Sequence, residues 1–484
     1  MFNGNQNKAP LVEALSQYSK QGFASFHMPG HKGGAGVLKE WQHLLGLPAF
    51  SIDLTEVEGL DDLHHPTGPI RQAQELAADL MGAQAAFFLT NGVSAGIHAL
   101  IMALCGPGDK IILPRHAHRS AYGALILSGA MPVYVRPSLH PDLGIPVGVR
   151  VSDIASALDT HPESRCLFMV HPTYHGCASD LAAIVQLARQ RGVKVIADEA
   201  HGAHFQFSPE FPAPALQCGV SASVQGWHKT MGSLTQSALL LTKDQDLDAG
   251  GYLRILQSTS PSYLLMGSLD AARKYWAQDG KVMGEKILHL ACNFRHKIAG
   301  LKGISCLDRE SIKSPVLAGL DQTKLMLNGW DLGLNGFQLA YELRKRYGIE
   351  PEMAAYEGVT LMVTIGDNEE KLNHLAHALK EIAGRFPVKK MPRPPVWDYS
   401  LIPEIKLLPG QAFKAKKKAI SVRAAAGEIA GEFICPYPPG IPLVAPGEVI
   451  SRETIGIMER IRKWGGQIQG PDDSSGRTVR VVAG

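Results

Sequence analysis

The chain has 484 residues, 45% hydrophobic and 19% charged, with a formal net charge of +3. This is the composition of a large globular protein of two or three domains, and it excludes the extended basic surface that nucleic acid requires. Seven cysteines without a CxxC pair argue against a zinc site or a disulfide framework and fit a reducing cytoplasm; the polar start lacks an apolar signal core, and no apolar run reaches the length of a membrane span.

Residues 1–65 read as an arm with a short helix at 12–20. His27, Met28, Pro29, Gly30, His31 and Lys32 form a turn without the spacing of a phosphate loop. The acidic, histidine-rich stretches 53–56 and 61–65 read as a solvated loop or a pocket lid in preference to a metal site. From Gly68 the pattern sharpens. Pro69 opens a helix, and Ile70, Ala73, Leu76, Ala77, Leu80 and Met81 share one face. Residues 85–89 form a strand that runs into Thr90-Asn91-Gly92-Val93-Ser94, followed by a helix at about 95–105. A strand, a small-residue turn and a helix start build an anion cradle, because free N–H groups and the helix dipole both favour a phosphate.

The alternation continues with strands at 110–114, 131–135, 165–170 and 193–197 and helices to 128, at 151–158 and at 181–191. It predicts an α/β fold with a mostly parallel central sheet and helices on both faces. The Thr90 turn, residues 115–120, 171–176 and 198–204 then gather at the carboxyl ends of the strands, where such folds bind ligands. Beyond them lies the stretch 223–237, with Lys229 directly after His228 between apolar flanks. Burial would lower the pKa of such a lysine and leave a nucleophilic amine. A long helix at 263–296, a smaller α/β unit at 305–385, a proline linker at 391–396 and a rigid proline loop at 436–442 follow. The lysine run 414–418 reads as a solvated face. The polar, glycine-rich tail 469–484 reads as disordered.

An activated lysine, a phosphate cradle and a strand-end acid are together what pyridoxal 5′-phosphate (PLP) requires. The lysine forms the Schiff base, and a carboxylate keeps the pyridine nitrogen protonated so that the ring acts as an electron sink. Asp198, Lys229, Ser94 and His228 are the candidates, with His118 to cover the ring.

The chain resembles the Orn/Lys/Arg decarboxylases of PLP fold type I, in their short form without an N-terminal wing. The resemblance rests on His27 to Lys32, Asp61-Asp62-Leu63, Thr90-Asn91-Gly92, Ser128-Gly129-Ala130, Pro172 to Gly176, Asp198 to Gly202, His228-Lys229-Thr230, Ser258 to Tyr263, and Pro436 to Pro442 with Pro446-Gly447-Glu448. It implies an arm at 1–65, a PLP-binding large domain at 66–300 and a small C-terminal domain at 301–468. It also implies a homodimer or higher oligomer with a shared site. Lys229 would carry PLP, Asp198 would pair with the pyridine nitrogen, and Ala200 and His201 would line the ring. His118 would stack on it. Gly92, Val93, Ser94, Thr173 and His228 would hold the cofactor, and Ser258, Thr259 and Ser260 would complete the site from a neighbouring subunit. The reaction implied is decarboxylation of a basic L-amino acid in polyamine metabolism: arginine first, lysine second, ornithine third. Asp61, Asp62, Glu56 and Glu432 are candidates for the distal cation.

Two stretches depart from the family pattern. Gly226-Trp227 stands where Ser-Thr is usual, and Val93 replaces a threonine, so two phosphate-binding hydroxyls are missing and the Trp227 ring is a candidate to fill space near the substrate. The alternatives are another fold type I enzyme, an aminotransferase or aldolase, with Arg423 as a possible carboxylate ligand, or a degenerate PLP-binding protein without activity.

Overall fold

The computed structural model describes residues 4–312, 314–389 and 401–483; the expected linker at 391–396 lies outside them. The elements that position the site are, in chain order, α1 (Pro10–Ser19), α2 (Pro69–Met81), β1 (Ala85–Leu89), α3 (Gly92–Leu104), β2 (Lys110–Pro114), α4 (Arg119–Ser128), β3 (Met131–Val135), β4 (Cys166–Val170), β5 (Lys194–Asp198), β6 (Ala222–Gln225), α5 (Trp227–Thr230), β7 (Ala238–Thr242) and α6 (Tyr263–Ile298). The chain packs as two compact units. One comprises the chain up to Ala103 with Ala197–Ser208 and Pro214–Gly284; the other comprises Leu104–Ile196, Pro209–Ala213 and the chain from Glu285.

In the first unit the hydrogen-bonded strand order is β1–β7–β6. Within the mostly parallel sheet expected, β7 is an exception: it runs antiparallel to both β1 and β6, with Leu89 opposite Ala238 and Leu239 opposite Gln225. The connection from β6 to β7 holds only the single turn of α5. A parallel crossover usually needs a full helix to carry the chain back along the sheet, and the single turn of α5 is too short for that, so the strand returns beside β6 in the opposite direction. Lys229 sits in that return.

α2 follows its sequence signals. Pro69 lies in the first turn, Gly82 closes the helix at φ 65°, and Ile70, Ala73, Leu76, Ala77 and Met81 turn inward. Its start is capped from outside by Asp61, a non-glycine residue at φ 76°. Asp61 Oδ2 accepts from the N–H groups of Gly68, Ile70 and Arg71 at 2.7, 3.1 and 3.3 Å, and Oδ1 accepts from Asp62 and Thr67. The arm carries the expected helix as α1. Its first turn is seated on α6, where the fully buried Asp270 accepts from Leu11 N–H at 2.9 Å and from Arg273 Nη2 at 2.7 Å.

In the second unit the order is β5–β4–β2–β3, and β2 pairs in parallel with both β3 and β4. Buried Arg115 follows β2. Its Nη2 donates to Glu448 Oε2 at 2.9 Å and to the Leu443 carbonyl at 2.8 Å, and its Nη1 donates to Tyr122 Oη at 2.8 Å. The expected smaller α/β segment is a four-stranded antiparallel sheet, in the order Ser305–Cys306, Lys324–Asn328, Gly358–Met362, Met353–Ala355, with helices Gly336–Tyr347 and Glu369–Arg385.

The tail expected to be disordered is instead ordered. Thr478–Val482 forms a strand antiparallel to Lys417–Ser421, so part of the lysine run is a strand edge. Val479 and Val481 alternate inward into a core with Ala430, Ile434, Val444 and Met458. The carboxylate of Asp473 turns the chain into that strand by accepting from Ser475 and Thr478, which holds it well below the usual range. The polar, glycine-rich composition hides a five-residue alternating pattern.

Candidate active site

α3 lies directly on the sheet because Gly96 has no side chain. A Cβ there would stand 2.7 Å from Val224 Cγ1 of β6 and 2.8 Å from Leu89 Cδ1 of β1. Gly92 starts the helix at φ 73°, three residues earlier than expected, a conformation that favours glycine. Gly92, Val93 and Ser94 remain partly accessible. The strand end before them is held by Gln257, whose Oε1 accepts from Thr90 N–H at 2.8 Å and whose Nε2 donates to Phe88 O at 3.3 Å. The result is an open first turn of a 13-residue helix, suited to an anion.

Asp198 ends β5 and is buried. Burial pushes its carboxyl up, opposed by the charge of Lys229 and by the Ala200 N–H, which donates to Oδ1 at 3.1 Å. Lys229 projects from α5, and its Nζ lies 3.0 Å from His201 Nε2. Asp198, Ala200, His201 and Lys229 are thus gathered in one place. His228 turns its Nδ1 onto the Ser237 carbonyl at 2.8 Å. That contact makes Nδ1 the donor and leaves Nε2 as the second functional atom of the ring. Trp276 of α6 donates its indole N–H to Met231 O at 2.9 Å and holds the end of the turn. A buried carboxyl pushed up by burial, a lysine amine near it and an open helix start fit the pyridine nitrogen, aldehyde and phosphate of PLP.

Trp227 does not meet its expectation. It is wholly buried, and its indole N–H donates to Gln225 Oε1 at 3.1 Å. Gln225 Nε2 donates in turn to Glu199 Oε2 at 2.8 Å. The ring fills the interior and leaves solvent-open space untouched. Gly226 has its own reason: a Cβ would come within 2.7 Å of the Ala200 carbonyl, which accepts from Gly226 N–H at 3.2 Å. Glu199 and Gln225 were missed in the sequence. Their only signal there is position, one beside Asp198 and the other at the end of a buried strand.

Ser258, Thr259 and Ser260 are exposed, and His64 Nε2 meets the Ser258 carbonyl at 2.8 Å. His118 and Thr173 belong to the second unit. His118 is exposed and caps α4, its Nδ1 accepting from Ser120 N–H at 3.2 Å. Thr173 is buried, and its hydroxyl accepts from Cys177 N–H at 3.2 Å within its own turn. Among the carboxylates considered for a distal cation, Asp61 is occupied by its cap, and Asp62 accepts from His64 N–H at 2.8 Å. Glu432 accepts from Asp472 N–H at 3.0 Å and from Arg480 N–H at 2.7 Å. Glu56 keeps one oxygen, Oε1, without a partner among the described residues. Arg423 is exposed and pairs with Glu459 at 3.2 Å.

The family model described as the Orn/Lys/Arg decarboxylase major domain matches residues 9–371, and that of the C-terminal domain matches residues 398–470. The arginine decarboxylase of Bacillus subtilis is 39% identical over 99% of this chain and 98% of that protein. The lysine decarboxylase LdcA of Pseudomonas aeruginosa is 23% identical over 93% of this chain and 75% of that protein. Among solved structures, the lysine decarboxylase LdcF of Francisella novicida superposes with a TM-score of 0.84 at 19% identity, covering 98% of this chain and 81% of that one.

Proposed function

We propose that this chain, which belongs to the Orn/Lys/Arg decarboxylase family, is a PLP-dependent carboxy-lyase that converts a basic L-amino acid, arginine by preference, to the corresponding amine and CO2. The observation that carries the site assignment is the meeting of Lys229 Nζ with His201 Nε2 at 3.0 Å beside buried Asp198. The preference for arginine is supported by full-length relatives named arginine decarboxylase at 38–39% identity, against 23% for relatives named for lysine or ornithine.

Bound PLP supplies the electron sink that accepts the electron pair left when CO2 departs. The chain's own residues do the rest. The Lys229 amine would hold the cofactor. Asp198 keeps a proton on the pyridine nitrogen; a cation there would also satisfy a carboxyl that burial otherwise pushes up. The open turn at Gly92, Val93 and Ser94 and the Nε2 of His228 are assigned to the phosphate. Ala200 and His201 are assigned to the ring wall. Lys229 Nζ or His228 Nε2 returns the proton to Cα. His118 and Thr173 keep the cofactor roles that family resemblance gives them. Glu56 is the distal-cation acceptor left among the four carboxylates, and the guanidinium of arginine would supply it with paired donors.

A homodimer sharing Ser258, Thr259 and Ser260 between subunits is part of the reading, supported by the exposure of all three. So are the arm, large and small domains at 1–65, 66–300 and 301–468. No helix among the described residues is long and apolar enough to cross a membrane. All seven cysteines are free thiols, which supports a cytoplasmic enzyme.

The test is a product screen of purified, PLP-loaded protein against arginine, lysine and ornithine. The expected result is CO2 with agmatine formed fastest, and loss of both turnover and the visible absorbance of lysine-bound cofactor in Lys229→Ala. Keto acid with pyridoxamine phosphate, or absorbance without turnover of any basic amino acid, refutes the assignment.

A further inference from the structure

The two residues preceding His228 are one place where the chain leaves its family pattern; Trp227 belongs to a buried hydrogen-bonded chain, and Gly226 joins the same turns through its backbone. From Trp227 the indole N–H reaches Gln225 Oε1 at 3.1 Å, Gln225 Nε2 reaches Glu199 Oε2 at 2.8 Å, and Glu199 Oε1 accepts from Ala215 N–H at 2.7 Å. Trp227, Gln225 and Glu199 are each at most 1% exposed. The ends of this chain bracket the site: Trp227 is two residues from Lys229, and Glu199 stands between Asp198 and Ala200. The backbone closes the same circuit, because Gly226 N–H donates to Ala200 O at 3.2 Å and Glu199 N–H donates to Val224 O at 2.9 Å.

We infer that Trp227 is a positioning residue, which acts through Gln225 and Glu199 to fix the Asp198–His201 turn against the Lys229 turn. The inference rests on the reading of Lys229 as the cofactor lysine. The indole N–H gives the relay its direction. It donates to Gln225 Oε1 and so turns the amide to present its NH2 to the Glu199 carboxylate. Without that donor the amide is free to rotate, and an oxygen then faces the carboxylate in a site closed to water, where an unmatched polar atom is costly. Glu199 would then seek another partner, and Asp198 and Ala200 on either side of it would move. A threonine at 227 could not reach Gln225 in this way, and a side chain at 226 would press on the Ala200 carbonyl. The two departures from the family pattern therefore act as a matched pair.

Trp227→Phe keeps the ring and removes the donor; Gln225→Met keeps the length and removes the amide. Both are compared with wild type after reconstitution with PLP. Occupancy of Lys229 is counted by borohydride reduction and mass spectrometry, so that loss of folded protein is separated from loss of function. Each variant is expected to lose about tenfold in turnover per loaded site, the effect of one buried hydrogen bond, with KM for arginine held within about twofold. The pH midpoint of the absorbance of lysine-bound cofactor should move in both. The double variant should be no worse than either single one. Where Trp227→Phe does not fold, Glu199→Asp, which draws back the far end of the relay, should give the same loss. A raised KM or an altered preference among arginine, lysine and ornithine with turnover retained would place Trp227 against the substrate and overturn the inference. Unchanged turnover and midpoint in both variants would reduce the relay to packing and overturn it as well. A wild-type protein that carries no cofactor on Lys229 would remove the proposed function first.

Discussion

Gly96→Ala is the sharpest test of how the helix start proposed for the phosphate is held. The added methyl would stand 2.7 Å from Val224 Cγ1 and 2.8 Å from Leu89 Cδ1, well inside the roughly 3.5–4 Å of ordinary carbon contact. Two effects oppose each other. Alanine is the better helix former by about 1 kcal/mol, whereas an extra methyl in a packed core costs about 1–3 kcal/mol. The structure decides between them. Val224 is fully buried and β-branched, so its χ1 cannot turn away, and the clash falls on two strands at once. The upper end of the cost applies, and the net loss is about 2 kcal/mol. Urea denaturation of the apo protein should show it as a lowered midpoint, and PLP affinity should fall because α3 is lifted off β1 and β6. Val224→Ala in the same chain should recover part of both. A Gly96→Ala protein stabilised by about 1 kcal/mol, as helix propensity alone would give, with PLP affinity unchanged, would refute the close approach.

Two other perturbations read the buried charges. Glu448→Ala leaves the Arg115 guanidinium buried and unpaired and should cost about 3–5 kcal/mol in unfolding experiments, whereas replacing both partners by apolar residues of similar volume should cost much less. Burial pushes the Glu199 carboxyl up to about 7 from an ordinary 4.5, against the Ala215 and Gln225 donors. Between pH 4.5 and 7 the unfolded chain gives up this proton before the folded one does. Stability linked to Glu199 is therefore fully present below pH 4.5 and is lost as pH rises through 7, by about 3 kcal/mol. Glu199→Gln should gain that amount relative to wild type between pH 5 and pH 8, and a pH-independent difference would refute the assignment.

Much of this protein was legible because its signals are local. The proline and the apolar face of α2, the small residues before α3 and the lysine between apolar flanks are each set by residues within one or two turns of one another. Asp198 and Lys229 were found the same way, each at the end of an apolar strand. The errors share one cause. Asp61 and Glu432 are acidic in sequence, but the backbone donors that occupy them are brought together by turns and a distant tail strand. Val479 and Val481 looked like part of a disordered tail because the core they enter is built from residues about 20 to 60 positions earlier.

His228-Lys229 shows the division most plainly. Sequence alone determined that a lysine, a strand-end carboxylate and a small-residue turn opening a helix exist in this chain, because residue type and local spacing suffice for that. Tertiary structure decided that β7 returns antiparallel, that Trp227 faces inward, and that its indole meets Gln225 and through it Glu199. Hydrogen bonds between side chains depend on angle and on distances of a few tenths of an ångström, which only the packed fold sets.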